Sequence, residues 1–391
     1  MSSRSRAELP LPAREILDGF ERVSGLKDLT FDLKHQPDGD VLVVFVAEPS
    51  ERMFDLLSGV LSGVHQAGLF PITATLKQAS SDNPLQTPEA RRFSRVIAES
   101  LSITRSSFSE DFFSRYIHSV FGAEEQVLAN ANHLVFGRRG SGKSSLLLYA
   151  LHMRASSGLP NAWIELQVHQ SRKTNKVILD VLSEVIRQLV PDVSASAEVI
   201  GRLRSLQDEA APEIEAIRDM LPSVRLFLET HVSRVEPLFV YLDDLHVLAK
   251  DLQPILLSAL NSVTRGNNIY LKISSIESFT RSWDPREREG LEPIHDVQTI
   301  RLDYNLTRVA KTREHIEAIL NAHAKYSGLP SIRWLCNERD VITRLVWVAA
   351  GVPRDALNVF AQAMTTATMD DQKRVTVTAI NKAASEAVND K

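Results

Sequence analysis

The segment from Gly137 to Ser144 has the composition and spacing of a phosphate-binding loop. It satisfies the pattern G-x-x-x-x-G-K-S, with a short apolar run before it and a helical pattern after it. Glycines let backbone N–H groups turn towards phosphate oxygens, and the start of the helix adds the positive end of its dipole. The segment therefore predicts a site for a nucleoside triphosphate. The predicted nucleotide-binding residues of the segment are Gly137, Arg138, Arg139, Gly140, Ser141, Gly142, Lys143, Ser144 and Ser145.

Two residues of the loop and two acids further along the chain predict a magnesium-dependent reaction. Lys143 is expected to reach the β- and γ-phosphates, and the Ser144 hydroxyl to bind Mg²⁺. The apolar run 238–242 ends in Asp243 and Asp244. A buried strand delivers such acids at its C-terminal edge, where ligands bind in open α/β sheets. We expect Asp243 to hold Mg²⁺ and Asp244 to orient or deprotonate the attacking water.

A third strand candidate, Tyr270–Ser275, ends in two hydroxyls. A polar side chain at the end of the strand beside the two acids could touch the γ-phosphate or the attacking water. Both Ser274 and Ser275 fit that place, and we assign the catalytic role to Ser274.

Apolar strand patterns alternate with helical patterns around these motifs. Such alternation predicts a P-loop NTPase fold of the α/β class, a parallel sheet with helices on both faces. The predicted strands are 134–136, 162–168, 238–242 and 269–274, and the predicted helices between them are 144–156, 175–190 and 252–263.

Four segments follow from breaks in composition and periodicity. Residues 1–80 are predicted to form a small N-terminal α/β domain with the order helix, strand, strand, helix, strand. Residues 81–111 are predicted to be a linker and a helix rich in arginine, because breakers precede a polar helical pattern. Residues 112–305 are the predicted ATPase core, and 306–391 a C-terminal helical lid.

The order of these motifs resembles that of AAA+ and related STAND-type ATPases, and among them the origin-recognition-complex-like branch. The resemblance to that branch rests on Gly351-Val352-Pro353-Arg354 in the predicted lid, which is similar to a G-x-P-R element there. The resemblance implies that Arg354 contacts the nucleotide phosphates. It also implies that one chain supplies an arginine to its neighbour's γ-phosphate, and the candidates for that arginine are Arg281, Arg286 and Arg288.

The chain departs from that branch at its C-terminal end. Origin-binding relatives carry a winged helix after the lid, and residues 375–391 are too few for one. Direct binding to an origin is therefore not expected. The resemblance further implies that such a protein, in bacteria, serves a defence or DNA-maintenance system.

Composition limits the partners that can be expected. The formal net charge is −4 over 391 residues, which gives no global attraction to nucleic acid. No apolar run has the length of a membrane helix, and the one cysteine fits a reducing compartment, so we expect a cytoplasmic protein without membrane contact. No guanine-reading N/T-K-x-D element stands out after the sheet, so the expected ligands are ATP and Mg²⁺.

Three functions remain open from the sequence. The first is an ATPase that acts as a nucleotide-dependent switch or assembly component, and the short aspartate at position 244 is consistent with slow hydrolysis. Its partner would be a second copy or another protein, bound through the N-terminal domain or the lid. The second is an ATP-dependent DNA-binding loader or initiator, which the arginine-rich stretch 91–115 favours and the charge opposes. The third is a P-loop kinase.

Overall fold

A computed structural model of the chain describes all residues except 1–5, 37–38, 68–71, 80–82, 103, 106–109, 156–157, 159, 171, 173, 233–234, 303–307 and 390–391. Within the described residues, no helix is both long enough and apolar enough to cross a membrane. The chain divides into two compact units. The first unit contains residues 1–102, 114–117 and 305–391, and the second contains residues 103–113 and 118–304.

The first unit begins with a small α/β arrangement in the predicted order. Its elements are α1 (Leu11–Ser24), β1 (Thr30–Gln36), β2 (Gly39–Val46), α2 (Glu51–Gln66), β3 (Ile72–Gln78) and α3 (Pro88–Ser100). Strand β2 pairs antiparallel with β1 and parallel with β3. Apolar side chains of α1, β2 and α2, such as Phe20, Leu42 and Leu57, are buried in one cluster. This cluster joins the two helices to the sheet.

The second unit contains the predicted parallel sheet. Its elements are α4 (Glu110–Phe113), α5 (Ala123–Leu128), β4 (His133–Phe136), α6 (Lys143–Ala155), β5 (Ala162–Glu165), α7 (Lys176–Leu189), α8 (Val193–Asp208), α9 (Ile214–His231), β6 (Leu238–Asp243), α10 (Leu252–Thr264), β7 (Ile269–Ser275), β8 (Trp283–Asp284), β9 (Glu289–Gly290) and β10 (Gln298–Arg301). Five strands are parallel in the order β10-β4-β7-β6-β5, which confirms the predicted fold class.

Both faces of this sheet are covered by helices. Val240 and Leu242 of β6 belong to one buried cluster with side chains of α7 and α10. The alternate residues Phe239 and Tyr241 belong to another, together with Leu147 of α6. Because side chains of a strand alternate between faces, a strand buried on both sides is apolar throughout. This explains the unbroken apolar run that precedes the two acids.

The edge strand β10 is absent from the prediction. It pairs in parallel with β4 along its whole length. Only Ile300 of its four residues is buried, and Gln298 and Arg301 are exposed. A strand this short, with one buried position, gives no apolar run in the sequence.

Four helices complete the first unit: α11 (Val309–Tyr326), α12 (Asp340–Val348), α13 (Pro353–Met369) and α14 (Val377–Asn389). They share a buried core with α3, in which the rings of Phe93 and Phe360 meet edge to face with centroids 6.1 Å apart. The first unit thus contains both the predicted N-terminal domain and the predicted lid, and its last segment begins beside the predicted boundary at 305. Helix α3 packs as part of the C-terminal helical core, because Phe93 and Ile97 are fully buried there.

Candidate nucleotide-binding site

Three neighbouring strands of the parallel sheet end together at the phosphate-binding loop. Strand β4 ends at Phe136, directly before Gly137, and Phe136 lies opposite Ser275 at the end of β7. On the other side of β7, Leu242 lies opposite Ile273. The register therefore brings Asp243 and Ser274 to the same edge as the loop, as the sequence predicted for C-terminal strand ends.

The glycines of the loop are required by its backbone. Gly142 has a φ of +96°, in the region that only glycine occupies without strain. A side chain at Gly137 would place its Cβ 2.3 Å from the Ser141 hydroxyl oxygen. The loop closes on itself through the Ser141 N–H, which donates to the Arg138 carbonyl at 3.1 Å. A side chain at Gly137 would displace the Ser141 hydroxyl, and one at Gly142 would strain the backbone.

Polar side chains of the loop are enclosed in it. Lys143 is only 6% exposed, and its Nζ donates to the Arg138 carbonyl at 3.2 Å. The Ser141 hydroxyl is buried and has no hydrogen-bond partner within the described residues. A buried polar atom of this kind costs free energy unless a ligand satisfies it. Arg138 and Arg139 are exposed, and Ser144 and Ser145 are half-buried in the first turn of α6.

The Asp243 carboxylate connects the loop to the neighbouring strand. The Ser144 hydroxyl donates to its Oδ1 at 3.0 Å, and the Ser274 hydroxyl donates to the same oxygen at 2.5 Å. The Asp244 N–H in turn donates to the Ser274 Oγ at 2.8 Å. The Ser274 hydroxyl is thus hydrogen-bonded to both Asp243 and Asp244. Ser275 does not take part, since its hydroxyl lies 2.5 Å from that of Thr280.

The surroundings of Asp243 disfavour the charged form of its carboxylate. Burial, and then the neighbouring Asp244, raise the pKa of Asp243 to about 6, against the opposing effects of the two hydroxyls and Lys143. A cation beside this carboxylate would offset that cost. Hydroxyl and carboxylate oxygens are ligands that Mg²⁺ prefers, usually with only one or two carboxylates plus substrate phosphates and waters. Ser144 and Asp243 fit a magnesium ion by this criterion.

The described residues hold no cluster of three or more histidine, cysteine or acidic side chains that could bind a metal by themselves.

Asp244 and a histidine that the sequence analysis missed lie beside the loop. Asp244 adopts a left-handed backbone conformation with φ of 62°, which turns the chain sharply after β6. The His246 Nδ1 lies 3.8 Å from the Asp244 Oδ1. Burial lowers the pKa of His246, Asp244 raises it, and Lys143 and Arg139 lower it further. The charges that act on His246 are thus those of Asp244 and of the loop residues Lys143 and Arg139. Its place three residues after Asp243 was the only signal in the sequence.

The four arginines with predicted roles have no contact with the phosphate-binding loop among those described within the second unit. Arg354 is in the first turn of α13, which belongs to the first unit, and its predicted contact with the nucleotide stays a prediction. Arg281 forms salt bridges with Asp284 at 2.7 Å and with Asp251 at 3.2 Å. Arg286 and Arg288 are exposed between β8 and β9.

Comparison with known proteins gives matches among solved structures alone. No family model matches the chain, and no curated protein matches its sequence. A structure of the Drosophila origin recognition complex bound to DNA matches with 13% identity and a TM-score of 0.44, over 85% of this chain and 74% of the other. Cdc6p from Pyrobaculum aerophilum matches with 16% identity and a TM-score of 0.41, over 70% and 68%.

A third match is the Aeropyrum pernix ORC2 protein, in complexes with ADPNP and ADP. It has 19% identity and a TM-score of 0.39, over 68% of this chain and 67% of the other. The names of the three structures are those of origin recognition complex proteins and of Cdc6p. At TM-scores below 0.5 they carry no argument about function, which rests on the site of this chain.

The shared hydroxyl of Ser274 leads to a first prediction. In Ser274→Ala, Asp243 loses one of its two hydroxyl donors and the Asp244 N–H loses its acceptor. A hydrogen bond to a charged group is worth about 1.5–3 kcal/mol, so we expect kcat/KM for ATP hydrolysis to fall by about tenfold or more. Ser275→Ala is the matched control, because the hydroxyl of Ser275 is engaged by Thr280. Equal turnover in the two variants would contradict the assignment of Ser274.

Proposed function

We propose that this chain is a magnesium-dependent ATPase whose nucleotide state controls assembly with a second copy or with another protein. One observation carries the proposal. The carboxylate of Asp243 receives hydrogen bonds from Ser144 of the phosphate-binding loop and from Ser274 of the adjacent strand. A phosphate loop, a buried acid and a second acid are thereby held at one edge of a parallel sheet.

The roles proposed for the residues follow from this geometry. The backbone N–H groups from Gly137 to Ser144 and the start of α6 would receive the phosphates, and Lys143 would bind the β- and γ-phosphates. Ser144 and Asp243 would hold Mg²⁺, which supplies charge neutralisation at the phosphates. Asp244 would orient the attacking water and accept its proton. The water oxygen forms a bond to the γ-phosphorus while the bond from that phosphorus to the ADP oxygen breaks.

The switch itself would depend on the first unit. Arg354 is proposed to sense the bound phosphates from the C-terminal helices, so that ATP and ADP favour different arrangements. The exposed Arg286 and Arg288 are the proposed candidates for an arginine supplied to a neighbouring copy. Sedimentation of the full chain with ADP and with a nonhydrolysable ATP analogue tests this part, and the same assembly state with both nucleotides would exclude it.

Asp244→Asn tests the proposed hydrolysis directly. Asparagine has nearly the same shape and cannot accept the proton of the attacking water, so we expect kcat to fall by about 100-fold. Binding of ATP should be retained, because Asp244 is not proposed to hold Mg²⁺. Release of inorganic phosphate and the affinity for a fluorescent ATP analogue measure the two effects.

The control for Asp244→Asn is Asp251→Asn, because the Asp251 side chain is 96% exposed and its nearest charged partner is Arg281. Unchanged phosphate release by Asp244→Asn would exclude Asp244 as the group that activates water. Transfer of labelled γ-phosphate from ATP to an acceptor other than water would favour the kinase alternative instead. Faster turnover of GTP than of ATP would contradict the proposal that the bound nucleotide carries adenine.

A further inference from the structure

Three arginines of the first unit converge on the ring of Tyr326. The guanidinium carbons of Arg115, Arg52 and Arg92 lie 4.4, 4.6 and 4.9 Å from the centroid of that ring. Tyr326 is the last residue of α11. The arginines come from three further places in the chain, the first turn of α2, the middle of α3 and the segment 114–117. We call these four residues the arginine cluster.

Two of the three arginines are anchored by the protein. Arg92 donates from Nη1 to the Tyr326 carbonyl at 2.8 Å, and Arg115 donates from Nη1 to the Ser100 hydroxyl at 3.3 Å. Arg52 is exposed, while Arg92, Arg115 and Tyr326 are half-buried. The cluster therefore has a fixed base and an open side. Preorganised donors of this kind lose little conformational entropy when they bind a ligand.

The cluster brings three guanidinium groups close to one another. Neither Arg52 nor Arg92 forms a salt bridge with a carboxylate in the part of the chain that the structure describes. Burial lowers the pKa of Arg92 most, Tyr326 raises it, and the charges of Arg52 and Arg115 lower it further. The cation–π contacts with the Tyr326 ring offset part of the repulsion between the guanidinium groups. A bound anion would offset more of this repulsion than the ring does, because each guanidinium can donate two parallel hydrogen bonds to a phosphate.

We propose that Arg52, Arg92 and Arg115 form a phosphate-binding site on the first unit, with the Tyr326 ring as the platform that holds the three guanidinium groups together. The phosphate is carried by a nucleic-acid backbone or by a free polyphosphate, and both present the same oxygens to the arginines. The groups that the site offers to a ligand are guanidinium N–H donors, which bind phosphate oxygens. Binding is therefore independent of base sequence.

None of the four residues of the cluster is among the residues proposed for the ATPase site, and all four belong to the first unit. The arginine-rich stretch in the sequence supplies only Arg92 and Arg115, and the third guanidinium comes from α2. The formal charge of the whole chain is −4, and attraction to a polyanion would therefore have to be local, as in this cluster.

Binding of a labelled DNA duplex of mixed sequence, measured by fluorescence anisotropy at increasing salt, tests the nucleic-acid source. In Arg52→Gln we expect the affinity at low salt to fall by about fivefold or more. The slope of log K against log salt should fall by about one, as expected when one phosphate contact is lost. Arg95→Gln is the matched control, because Arg95 is an exposed arginine of α3 outside the cluster. It should bind like the unchanged chain.

Thermal unfolding in the presence of pyrophosphate tests whether the site binds a free polyphosphate. The experiment uses full-length Lys143→Ala, so that the phosphate-binding loop does not contribute. Pyrophosphate should raise the unfolding temperature of this variant, and the added change Arg52→Gln should abolish the rise. Arg115→Gln provides a second test of the same site. A response in either assay that depends on Arg52 supports the site and names its source. Responses that are absent, or equal with and without Arg52, overturn it.

Discussion

Lys143→Ala is expected to abolish nucleotide binding and ATP hydrolysis by this chain. Lys143 is nearly fully buried at the start of α6, and its Nζ already lies against the loop, 3.2 Å from the Arg138 carbonyl. Truncation of one partner of a buried charge pair costs about 3–5 kcal/mol, which corresponds to a loss of affinity of about 100-fold or more. Titration with a fluorescent ATP analogue and measurement of phosphate release check the two effects.

The control for this change is Lys311→Ala, which removes an exposed lysine of α11 in the other unit. It should bind and hydrolyse ATP like the unchanged chain. Circular dichroism should show that Lys143→Ala keeps its helices, because alanine is the residue with the highest helix propensity and position 143 begins α6. Turnover that survives in Lys143→Ala would mean that the phosphates bind elsewhere.

The parts of the site that are local in sequence could be predicted, and those that depend on distant pairing could not. The phosphate loop is one contiguous segment whose glycine and lysine positions are fixed by its own backbone. Asp243 could be placed because an apolar strand must end at the sheet edge. The sequence fitted both Ser274 and Ser275, and the assignment to Ser274 gained a physical reason only from the structure, in which the Ser274 hydroxyl donates to Asp243 and that of Ser275 lies against Thr280.

The sequence does not indicate which helices pack together when the partners lie far apart along the chain. Helix α3 reads as a polar, arginine-rich helix, and its apolar positions Phe93 and Ile97 are few. Their partners, such as Phe360, lie more than two hundred residues later. No local pattern indicates such a pairing. The arginine cluster was hidden for the same reason, because Arg52 and Tyr326 come from segments that nothing in the sequence connects.

Asp243→Asn is expected to abolish magnesium-dependent hydrolysis and at the same time to stabilise the protein free of metal and nucleotide. Asparagine keeps an oxygen that can accept from Ser144 and Ser274, and it carries no charge. Loss of the magnesium ligand should lower turnover by about 100-fold or more. The stabilisation follows because the protein no longer holds a buried carboxylate whose charge is opposed by burial and by Asp244.

The sign of the pH dependence distinguishes this account from a general gain in packing. The pKa of Asp243 is about 6 in the folded protein, above its ordinary value of 3.8, so the folded state binds the proton more tightly than the unfolded state. The cost of the charged carboxylate is therefore absent below about pH 4, grows between pH 4 and 6, and stays constant above. A shift of this size corresponds to about 2–3 kcal/mol at neutral pH.

Thermal unfolding in EDTA, at pH 4.5 and at pH 7.5, measures this difference between Asp243→Asn and the unchanged chain. The variant should be the more stable at pH 7.5, and the two should approach each other at pH 4.5. Asp219→Asn removes an exposed acid of α9 and should show neither effect. A variant that is less stable at pH 7.5, or whose advantage is the same at both pH values, would contradict this account. The expected result means that the site keeps a charge which lowers the stability of the empty protein, and that a bound cation with its nucleotide restores it.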